Sequence, residues 1–499
     1  MASTLSEIRN IRLEKVEKLR KLGIDPYPSR AERTHENKEL TDHFPKFEGK
    51  KVTIVGRIMA WREMGSLIFA KVQDYTGRIQ LILRKGDLQA LNKRAQTLGW
   101  KQLELVDIGD YVEASGKLTK SRTGEISVET KELKLLTKSI RPLPEKWEGL
   151  KDVEAILRKR YLEMTMHPET KDMFALKSKF WSNMRQFLVK KGFLEIRTPV
   201  LEHTTGGADA RPFITHHNAL DTDFYLRISL ELPLKRAIGA GFERVFEIGP
   251  VFRNEGIDDE HLQDYDMMEF YMAYADYTEG MALVSAMYKD IAKKTFGTLK
   301  FSIGEFKVDL GKKWEVIDYC EVIKKHFKIN VLDVAEMELK RKLDSLKVKY
   351  EKKTNKERLV DTLWKQIRKE IAGPVFLINQ PKLVSPLAKS QTKNPNITDR
   401  YQIILAGSEM GNGYSELNDP VDQYNRFKEQ QSLREKGDDE AQMLDLDFVE
   451  MLEYGMPPTT GFGVSERLFS FLVNKPIRQT VMFPQMKRVV DELNNEIYQ

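Results

Sequence analysis

The sequence predicts a chain of the α+β class, in which a small β-barrel precedes a larger domain of mixed helices and strands. Two observations lead to this prediction. From Lys51 onward, short alternating segments are separated by glycine-containing turns, as in "KVTIVGRIMAWREMGSLIFAKVQDYTGRIQLILRK", which is typical of β-hairpins. After Asp152, helical and strand-like segments do not alternate as βαβ units, and the sequence has neither a Walker loop nor a GxGxxG motif. A doubly wound parallel sheet is therefore not expected.

The composition indicates a globular chain of two or three domains. Of its 499 residues, 41% are hydrophobic and 31% are charged, which is ample for a sizeable core. No apolar run is long enough to span a membrane and no signal-peptide region is present, so we expect no membrane partner and a cytoplasmic location. The single cysteine, Cys320, excludes an internal disulfide framework. A net charge of +6 permits nucleic-acid binding without proving it.

Residues 1–48 are predicted to form an N-terminal helical extension. Leu5, Ile8, Val16 and Leu19 mark a rough apolar stripe, and the spacing is helical. Arginine and lysine residues surround this stripe. They fit either a solvated helix face or a contact with RNA, and the sequence leaves both interpretations open.

Residues 49–140 are predicted to form the barrel. About five strand-like segments in roughly 90 residues suit a small closed sheet, and the oligonucleotide-binding (OB) fold is the commonest such barrel with an exposed binding face. Other five-stranded barrels would give the same pattern. Residues 141–152, "RPLPEKWEGLKD", are predicted to be a linker, and residues 153–499 to form the larger domain.

One predicted hairpin carries more functional groups than a hairpin needs. It runs from Phe246 to Tyr277 and reads "FEIGPVFRNEGIDDEHLQDYDMMEFYMAYADY". An arginine fork such as that of Arg253 suits bidentate capture of a carboxylate or a phosphate, and Tyr265 offers a flat surface for stacking. Any one of these residues could equally belong to a structural ion pair. Their concentration in one hairpin favours a binding site.

Several motifs resemble those of the class II aminoacyl-tRNA synthetases, and in particular the lysyl-tRNA synthetases. The hairpin's "VFRNEG" and "MMEFYMAYADY" resemble motif 2. The segment "KGFLEIRTPVL" resembles motif 1, with Pro199 in the dimer-forming position, and "EYGMPPTTGFGVSERLF" resembles motif 3. Between them, "VSPLAK" and "GSEMGNGYSELNDP" follow in the expected order. The resemblance covers nearly the whole chain, the barrel included, and the combination is specific.

The resemblance implies a two-step reaction. Lysine and ATP form lysyl-adenylate and pyrophosphate, and the lysyl group then passes to the 3′ end of the lysine tRNA. It also implies a catalytic domain built on an antiparallel sheet with flanking helices over residues 153–499, an anticodon-binding OB-fold over residues 49–140, a homodimer, and Mg²⁺ as a cofactor. Such chemistry depends on positioning and charge stabilisation rather than on a nucleophilic side chain.

The resemblance assigns catalytic and ATP-binding roles to the hairpin and to motif 3. Arg253 would hold the lysine carboxylate and the α-phosphate, where charge develops during attack. Glu255 would meet the adenine amino group and Tyr265 would stack on the base. His261 would lie near the distal phosphates, and Arg467 would bind the γ-phosphate.

The lysine pocket is also assigned by matching positions. Glu231 and Glu269 would accept the α-ammonium group, with help from the backbone at Gly207. Glu416 and Tyr271 would meet the ε-ammonium group. Because a buried carboxylate needs a cationic partner, a substrate with a neutral or acidic side chain would leave Glu416 unpaired at a cost of several kcal/mol.

Three further residues lie in the "RYQIILAGSEMGNG" segment. Asn412 would assist at the lysine carboxylate, and Glu409 would bind ATP and a metal ion. Gln402 stands where the family usually presents a second metal-binding glutamate. A carboxamide oxygen can bind Mg²⁺ but brings no charge, so we expect altered metal affinity or ion number.

In the barrel, the resemblance implies an anticodon-reading face. Phe69 would stack on an anticodon base, while Gln80 and Glu125 would contact uridine edges. Trp61 occupies a position where an anticodon-side arginine is frequent in the family. Either stacking on RNA or simple packing would explain it, and the sequence does not decide.

Two other positions depart from the family pattern. "HLQDY" replaces the common His-Asn-Pro-Glu-Phe, so Leu262 and Gln263 stand in place of asparagine and proline, and the fixed φ of proline is lost. In motif 3, Glu466 stands where lysine enzymes commonly have aspartate. Aspartyl and asparaginyl enzymes often have glutamate there, so this residue does not identify the substrate.

Four alternatives were weighed. An aspartyl- or asparaginyl-tRNA synthetase shares the motifs, but Glu416 would repel an acidic substrate. A relative that lysylates an elongation factor would lack the barrel, and one that lysylates lipid would need membrane spans. A non-catalytic RNA-binding or scaffold protein would be expected to lose the pocket charges. The chain retains all of them, namely Arg253, Glu255, Glu269, Glu409, Glu416 and Arg467.

Overall fold

The computed structural model describes residues 5–144, 153–256, 258, 260–350, 355–489 and 497. The chain divides into two compact units, one made of residues 1–168 with 487–499 and the other of residues 169–486. Residues 145–152 of the predicted linker lie outside the described residues. Within the described part of the chain, no helix is long and apolar enough to cross a membrane.

The first unit contains three N-terminal helices and a closed five-stranded barrel. The helices are α1 (Leu5–Lys21), α2 (Asn37–Asp42) and α3 (Phe44–Phe47). The strands are β1 (Lys51–Met64), β2 (Leu67–Gln73), β3 (Arg78–Arg84), β4 (Tyr111–Lys120) and β5 (Ile126–Thr137), paired in the order β1-β2-β3-β5-β4. Two short helices follow, α4 (Val153–Arg158) and α5 (Arg160–Met166). The barrel that the sequence predicted is therefore present.

Alternation along the strands fills the barrel interior. On β2, Ile68, Ala70 and Val72 are buried in the core, while Phe69 and Lys71 point to the opposite face. On β3, Ile79, Leu81 and Leu83 belong to the same core, as expected for a strand with one face inward. Gln80 and Ile82 on the opposite face of β3 are buried as well. On the outward face of β2, Phe69 is partly exposed and Lys71 is exposed.

A buried arginine fixes α1 to the barrel. Arg12 donates hydrogen bonds to the backbone oxygens of Ile108, Ser139 and Arg141, at 2.9 to 3.2 Å. Lys15, one turn later, is 2.8 Å from Asp107. Two of the basic residues on this helix are thus structural, which answers part of the question that the sequence left open.

The second unit is built on an eight-stranded, mainly antiparallel sheet. Its strand order is β14-β15-β16-β17-β18-β11-β10-β6, with parallel pairs only at the two ends. The strands of this sheet are β6 (Leu194–Glu195), β10 (Arg244–Phe252), β11 (Asp264–Ala273), β14 (Glu315–Asp318), β15 (Val375–Ile378), β16 (Arg400–Leu405), β17 (Ser408–Ser415) and β18 (Thr459–Ser465). Two small sheets contain β7 (Leu201–Glu202), β8 (Ile214–His217) and β9 (Thr222–Leu226), and β12 (Lys300–Ile303) and β13 (Phe306–Asp309).

Helices cover both faces of the large sheet. They are α6 (Pro168–Lys190), α7 (Glu231–Gly239), α8 (Tyr277–Phe296), α9 (Tyr319–Phe327), α10 (Glu336–Ser345), α11 (Lys356–Arg368), α12 (Pro420–Glu435), α13 (Leu446–Tyr454) and α14 (Arg467–Leu472). One core joins α6 and α8 to the sheet through aromatic residues such as Phe270 and Phe462. A second core joins α7, α12 and α13 to the other face. This arrangement confirms the predicted α+β class.

A third core in this unit holds the helical segment from α9 to α11. Leu339, Leu363 and Trp364 pack there against β15 and β16. The C-terminal end of α11 therefore lies beside β16 and β17, the strands that carry Gln402 and Glu409.

We predict that Gly116→Ala destabilises the barrel. Gly116 lies where the pairing of β4 with β5 shifts register, and a Cβ atom there would come 2.0 Å from the backbone oxygen of Glu129. The strands must separate to admit it, which should cost about 3 kcal/mol. Calorimetric unfolding should show the earliest transition several degrees lower.

Gly86→Ala is the matched control, because a Cβ atom at Gly86 meets nothing within 4 Å. It should leave the same transition within about one degree of the unsubstituted protein, since surface substitutions away from special features change stability little. Equal effects of the two substitutions would contradict the close-packing argument.

Candidate functional site

Strand order brings the predicted functional segments together. β11, the second strand of the hairpin that the sequence singled out, pairs with β10 on one side and with β18 on the other. β18 in turn pairs with β17. Glu269 lies opposite Gly463, and Gly463 lies opposite Asn412. Side chains that are far apart in sequence therefore meet across three neighbouring strands.

A cavity of about 300 Å³ opens over these strands. Seven of the predicted residues line it: Gly207, Arg253, Tyr265, Gln402, Glu409, Asn412 and Arg467. A smaller cavity of about 130 Å³ shares Arg253, Tyr265 and Arg467 with it, and adds Glu255 and His261. The structure thus brings together the residues to which ATP binding was assigned.

The four remaining residues of the predicted lysine pocket lie behind the cavity wall. They are Glu231, Glu269, Tyr271 and Glu416, all buried. Glycines separate them from the cavity. A Cβ atom at Gly207, where φ is +87°, would come 2.8 Å from the Cβ atom of Glu231, and one at Gly463 would come 3.2 Å from Cγ of Glu269. Glycine is needed at position 207 both for this φ and for the close approach.

The buried carboxylates are organised by hydrogen bonds. Glu269 accepts from Ser229 Oγ at 2.8 Å, from the backbone N–H of Leu230 at 2.9 Å and from Tyr271 at 2.9 Å. Glu231 accepts from the Tyr414 hydroxyl at 2.6 Å. The prediction grouped Tyr271 with Glu416, whereas its hydroxyl hydrogen bond goes to Glu269.

Lys235, a residue that the sequence analysis missed, supplies the one buried cation of this cluster. Its Nζ atom is 2.7 Å from Glu231 and 2.5 Å from Glu416, and its side chain is fully buried. The pair of Glu231 and Lys235 has the i,i+4 spacing of facing residues on a helix, which was a usable signal. Three carboxylates and one ammonium group would leave two negative charges uncompensated.

Two of these carboxyl groups, Glu269 and Glu416, have raised pKa values. Burial, and then the neighbouring Glu231 carboxylate, raise the pKa of Glu269 to about 7. Burial also raises the pKa of Glu416 well above its usual range, and Lys235 opposes only part of this effect. The cluster is therefore poised to bind additional positive charge, since a cation would restore ionisation of both carboxylates.

Arg253 is held at the cavity by its own strand neighbours. Its Nε group donates to the backbone oxygen of Ile228 at 3.2 Å, and its guanidinium carbon lies 5.7 Å from the centre of the Tyr265 ring. Its backbone N–H donates to Gln263 at 2.8 Å, which closes the loop between β10 and β11. Gln263 also donates to Gly256 at 3.0 Å, so the loop is hydrogen-bonded where the family's proline is missing.

The motif 3 residues have separate roles. Arg467 donates to Ser408 at 3.2 Å and forms an ion pair with Glu260, and burial lowers the pKa of Arg467 to about 10. Glu466 instead points into the core and is 2.6 Å from Lys177 of α6. The family departure at position 466 is thus a packing feature away from the cavity.

Glu255 and His261 lie on the loop of the hairpin. His261 is exposed, with Nδ1 2.7 Å from the carboxylate of Asp258. The backbone N–H of Glu255 donates to Arg253 at 2.9 Å. The structure places both side chains at the smaller cavity, next to Tyr265.

The two predicted metal ligands are surrounded by hydrogen-bond donors. Glu409 accepts from Arg368 at 2.7 Å and from Trp364 at 3.2 Å, and Gln402 donates its amide N–H to Glu409 at 3.2 Å. A metal ion needs oxygen atoms at this place, and here N–H groups face the carboxylate. As arranged, the pair does not fit a magnesium site.

Asn412 is held by Arg400, which the sequence analysis also missed. Arg400 donates to Asn412 at 2.8 Å and to Ser385 at 2.9 Å. The amide of Asn412 is therefore fixed at the cavity wall.

A second candidate site lies on the outer face of the barrel. Phe69 is half-buried there beside Ile82, and Gln80 is largely buried and donates to Ser127 at 2.9 Å. Glu125 is exposed and 3.1 Å from Lys71. The three residues predicted to read the anticodon thus share one face of β2, β3 and the entrance to β5.

A β-bulge decides the position of Trp61. The pairing of β1 with β2 shifts between Ile58 and Ala60. As a result Trp61 lies opposite inward-facing Ala70 and packs against the barrel core, while Arg62 lies opposite Phe69. Trp61 is therefore a packing residue, and an arginine stands one position later on the predicted RNA face.

Comparison with known proteins gives a family match over each of the two candidate sites. The profile described as "tRNA synthetases class II (D, K and N)" matches residues 152–487, and that described as "OB-fold nucleic acid binding domain" matches residues 52–136. The chain is 41% identical over 495 residues to the lysine--tRNA ligase of Thermotoga maritima, covering 97% of this chain and 96% of that protein.

Two further lysine--tRNA ligases show similar values. That of Thermosipho africanus is 40% identical over 507 residues, with 99% of each chain covered. That of a Roseiflexus species is 42% identical over 492 residues, covering 97% of this chain and 99% of the relative. With the barrel, the antiparallel sheet and the cavity already described, these matches show that the chain belongs to the class II tRNA synthetases of the D, K and N group, within the lysine--tRNA ligase family.

Proposed function

We propose that this protein activates L-lysine with ATP and transfers the lysyl group to the lysine tRNA. The observation that carries the proposal is the buried charge of the pocket. Glu231 and Glu416 share a single lysine, Lys235, and Glu269 accepts hydrogen bonds from neutral groups only. Free lysine brings two ammonium groups and thus supplies the two positive charges that the cluster lacks.

The two ammonium groups are proposed to bind different carboxylates. Glu231 and Glu269, next to Gly207 at the cavity, receive the α-ammonium group. Glu416 and Tyr271 receive the ε-ammonium group deeper in the pocket. A Cβ atom at Gly461 would lie 2.3 Å from both Glu416 and Tyr271, so these two side chains are adjacent. Aspartate or asparagine would place an acidic or neutral group against Glu416 and leave it without a cation.

The adenylation step needs charge stabilisation in the larger cavity. A carboxylate oxygen of lysine attacks the α-phosphorus of ATP, and the bond to the leaving pyrophosphate breaks. Arg253 holds both reacting groups, because its guanidinium fork can bind a carboxylate and a phosphate oxygen together. Arg467 binds the γ-phosphate, His261 lies near the distal phosphates, and Asn412 orients the lysine carboxylate.

The base of ATP occupies the smaller cavity. Tyr265 stacks on adenine, and Glu255 accepts from the adenine amino group. In the second step, a ribose hydroxyl at the 3′ end of the tRNA attacks the carbonyl carbon of lysyl-adenylate. AMP leaves with the bonding electrons, and no side-chain nucleophile is involved.

Three parts of the proposal concern conditions and partners. Mg²⁺ is proposed as the counter-ion that ATP carries, because the triphosphate is highly charged, and no step is assigned to a metal held by Gln402 and Glu409. The motif that contains Pro199 supports a homodimer. A role in translation and the single cysteine support a cytoplasmic location.

The anticodon of the lysine tRNA is proposed to bind the outer face of the barrel. Phe69 supplies the stacking surface, Gln80 and Glu125 contact uridine edges, and Arg62 contacts the phosphate backbone. The affinity for tRNA should fall with salt, as for other sites that neutralise phosphates.

The first test is amino-acid-dependent ATP–pyrophosphate exchange with each of the twenty amino acids and no tRNA. We expect exchange with lysine alone, and a Glu416→Gln variant should raise the KM for lysine by about 100-fold, because breaking a buried charge pair costs about 3 kcal/mol. Exchange with aspartate or asparagine would contradict the assignment of the pocket. No exchange with any amino acid would favour a scaffold role.

Lysine binding should depend on pH through Glu269. Its pKa is raised to about 7 in the lysine-free protein, and the carboxylate must lose its proton to accept an ammonium group. Protonation of Glu269 should therefore raise the KM for lysine by about tenfold for each pH unit below 7. Initial exchange rates between pH 5.5 and 8.5 give this profile.

Glu269→Gln is the control for this dependence. Its KM for lysine should be high and should lack the rise below pH 7 that protonation of Glu269 causes, because that carboxyl group is gone. The KM for ATP, measured in parallel, should not follow the same profile. A flat profile for the unsubstituted protein would exclude Glu269 as the titrating group.

Phe69→Ala and Arg62→Ala should weaken tRNA binding without changing amino-acid activation. Loss of stacking at Phe69 should raise the KM for tRNA by about 5- to 150-fold, from about 1–3 kcal/mol per stacked base. Aminoacylation at fixed salt measures this, and exchange without tRNA should be unaltered. Tyr111→Ala, an exposed aromatic residue on β4, is the matched control; an equal effect there would mean that the barrel face is misassigned.

A further inference from the structure

Both carboxylate oxygens of Glu409 accept hydrogen bonds from N–H donors. Its Oε1 atom accepts from Arg368 Nη1 at 2.7 Å and from Trp364 Nε1 at 3.2 Å. Its Oε2 atom accepts from Gln402 Nε2 at 3.2 Å. Both oxygens are therefore engaged, and the guanidinium of Arg368 already balances the charge of the carboxylate.

Arg368 is not free to swing away from Glu409. Its Nε group also donates to the backbone oxygen of Gly407 at 3.0 Å, and its side chain is 14% exposed. Arg368 is the last residue of α11. Leu363 and Trp364 of the same helix are buried in the core beside β15 and β16. The helix thus holds a fixed positive charge against the carboxylate.

These contacts conflict with a metal ion at the same place. Mg²⁺ takes about six oxygen ligands in a near-octahedral shell and dehydrates reluctantly. The guanidinium of Arg368 would repel a dication bound to the same carboxylate. As placed, the amide of Gln402 turns its N–H group and not its oxygen toward Glu409, so it offers no ligand atom to a metal ion there.

Among the residues that the structure describes, no three His, Cys, Asp or Glu side chains lie close enough to hold a metal ion together. Across the pair of β16 and β17, Glu409 lies opposite Ile404 and Gln402 lies opposite Asn412, so no second carboxylate faces Glu409 from the neighbouring strand.

We infer that Arg368, Glu409 and Gln402 form a closed hydrogen-bonded unit that stands in place of a metal ion held by the protein. Arg368 is a positioning residue: it keeps Glu409 at the cavity wall beside Ser408, which in turn accepts from Arg467. The inference deepens the proposed function, and rests on it only in taking this cavity as the site for ATP.

The test is a titration of the full-length protein with Mn²⁺ in the absence of nucleotide, with free Mn²⁺ followed by electron paramagnetic resonance. The unsubstituted protein should bind no Mn²⁺ more tightly than about 1 mM. The double variant Gln402→Glu with Arg368→Met restores two facing carboxylates and removes the guanidinium. It should bind one Mn²⁺ at least about tenfold more tightly.

Matched controls separate this effect from a general change of charge. Gln366→Glu with Lys365→Met makes the same two kinds of change on the same helix, at residues whose contacts are Thr362 and Asp361. This control should bind Mn²⁺ no better than the unsubstituted protein. Melting curves show whether each variant folds. If the double variant does not fold, Gln402→Glu alone should show a smaller gain, because Arg368 still pairs with Glu409.

A kinetic readout distinguishes a positioning role from a merely structural one. Exchange by the unsubstituted protein should saturate once ATP is complexed with Mg²⁺, whereas the double variant should require Mg²⁺ in excess of ATP. If no variant exchanges pyrophosphate, the proposed function fails, yet the Mn²⁺ titration still decides this inference. Submillimolar Mn²⁺ binding by the unsubstituted protein that is lost in Glu409→Gln would overturn it.

Discussion

The constraint on which the catalytic unit depends is the burial of three carboxylates beside one ammonium group. Lys235 is fully buried between Glu231 and Glu416, and Glu269 is stabilised by hydrogen bonds from Ser229 and from the backbone N–H of Leu230, just before α7. Removing charge from water is costly unless it is paired. The elements around the cluster, namely α7, β11, β17 and β18, hold its side chains in place. Because the cluster lacks positive charge, it favours an amino acid with two ammonium groups.

The glycines of β18 and of the segment before β8 make this cluster accessible. A side chain at Gly461 would collide with Glu416 and Tyr271, and one at Gly207 would collide with Ser229 and Glu231. Cavity and cluster are therefore separated by backbone alone at these points. The positive side chains Arg253 and Arg467 line the cavity. Positive side chains in the cavity and buried carboxylates behind its wall together suit a substrate with ammonium groups at one end and phosphates at the other.

In the hydrogen-bonded unit around Glu409, the two positions that bind metal in the family keep their place in the fold, but their chemistry is different. Gln402 and Glu409 still lie on paired strands at the cavity, as the sequence predicts. The amide of Gln402 removes one negative charge, and Arg368 adds a positive one from a helix that is distant in sequence.

The barrel also contains a family position whose role differs from the expected one. A one-residue bulge in β1 turns Trp61 inward and brings Arg62 to the face of Phe69, because successive strand residues point to opposite faces.

The sequence alone determined the fold class, the barrel, the order of the motifs and seven of the residues that line the larger cavity. These depend on local alternation and on short motifs, which are readable without coordinates. The tertiary structure decided which charged and polar side chains pair with one another. Lys235, Arg368 and Arg400 reach their carboxylate and amide partners across helices and strands whose packing no motif specifies, although the i,i+4 spacing of Glu231 and Lys235 hinted at one pair. Whether a charged group is buried, shared or paired depends on which distant segments pack around it, and that is settled only when the chain has folded.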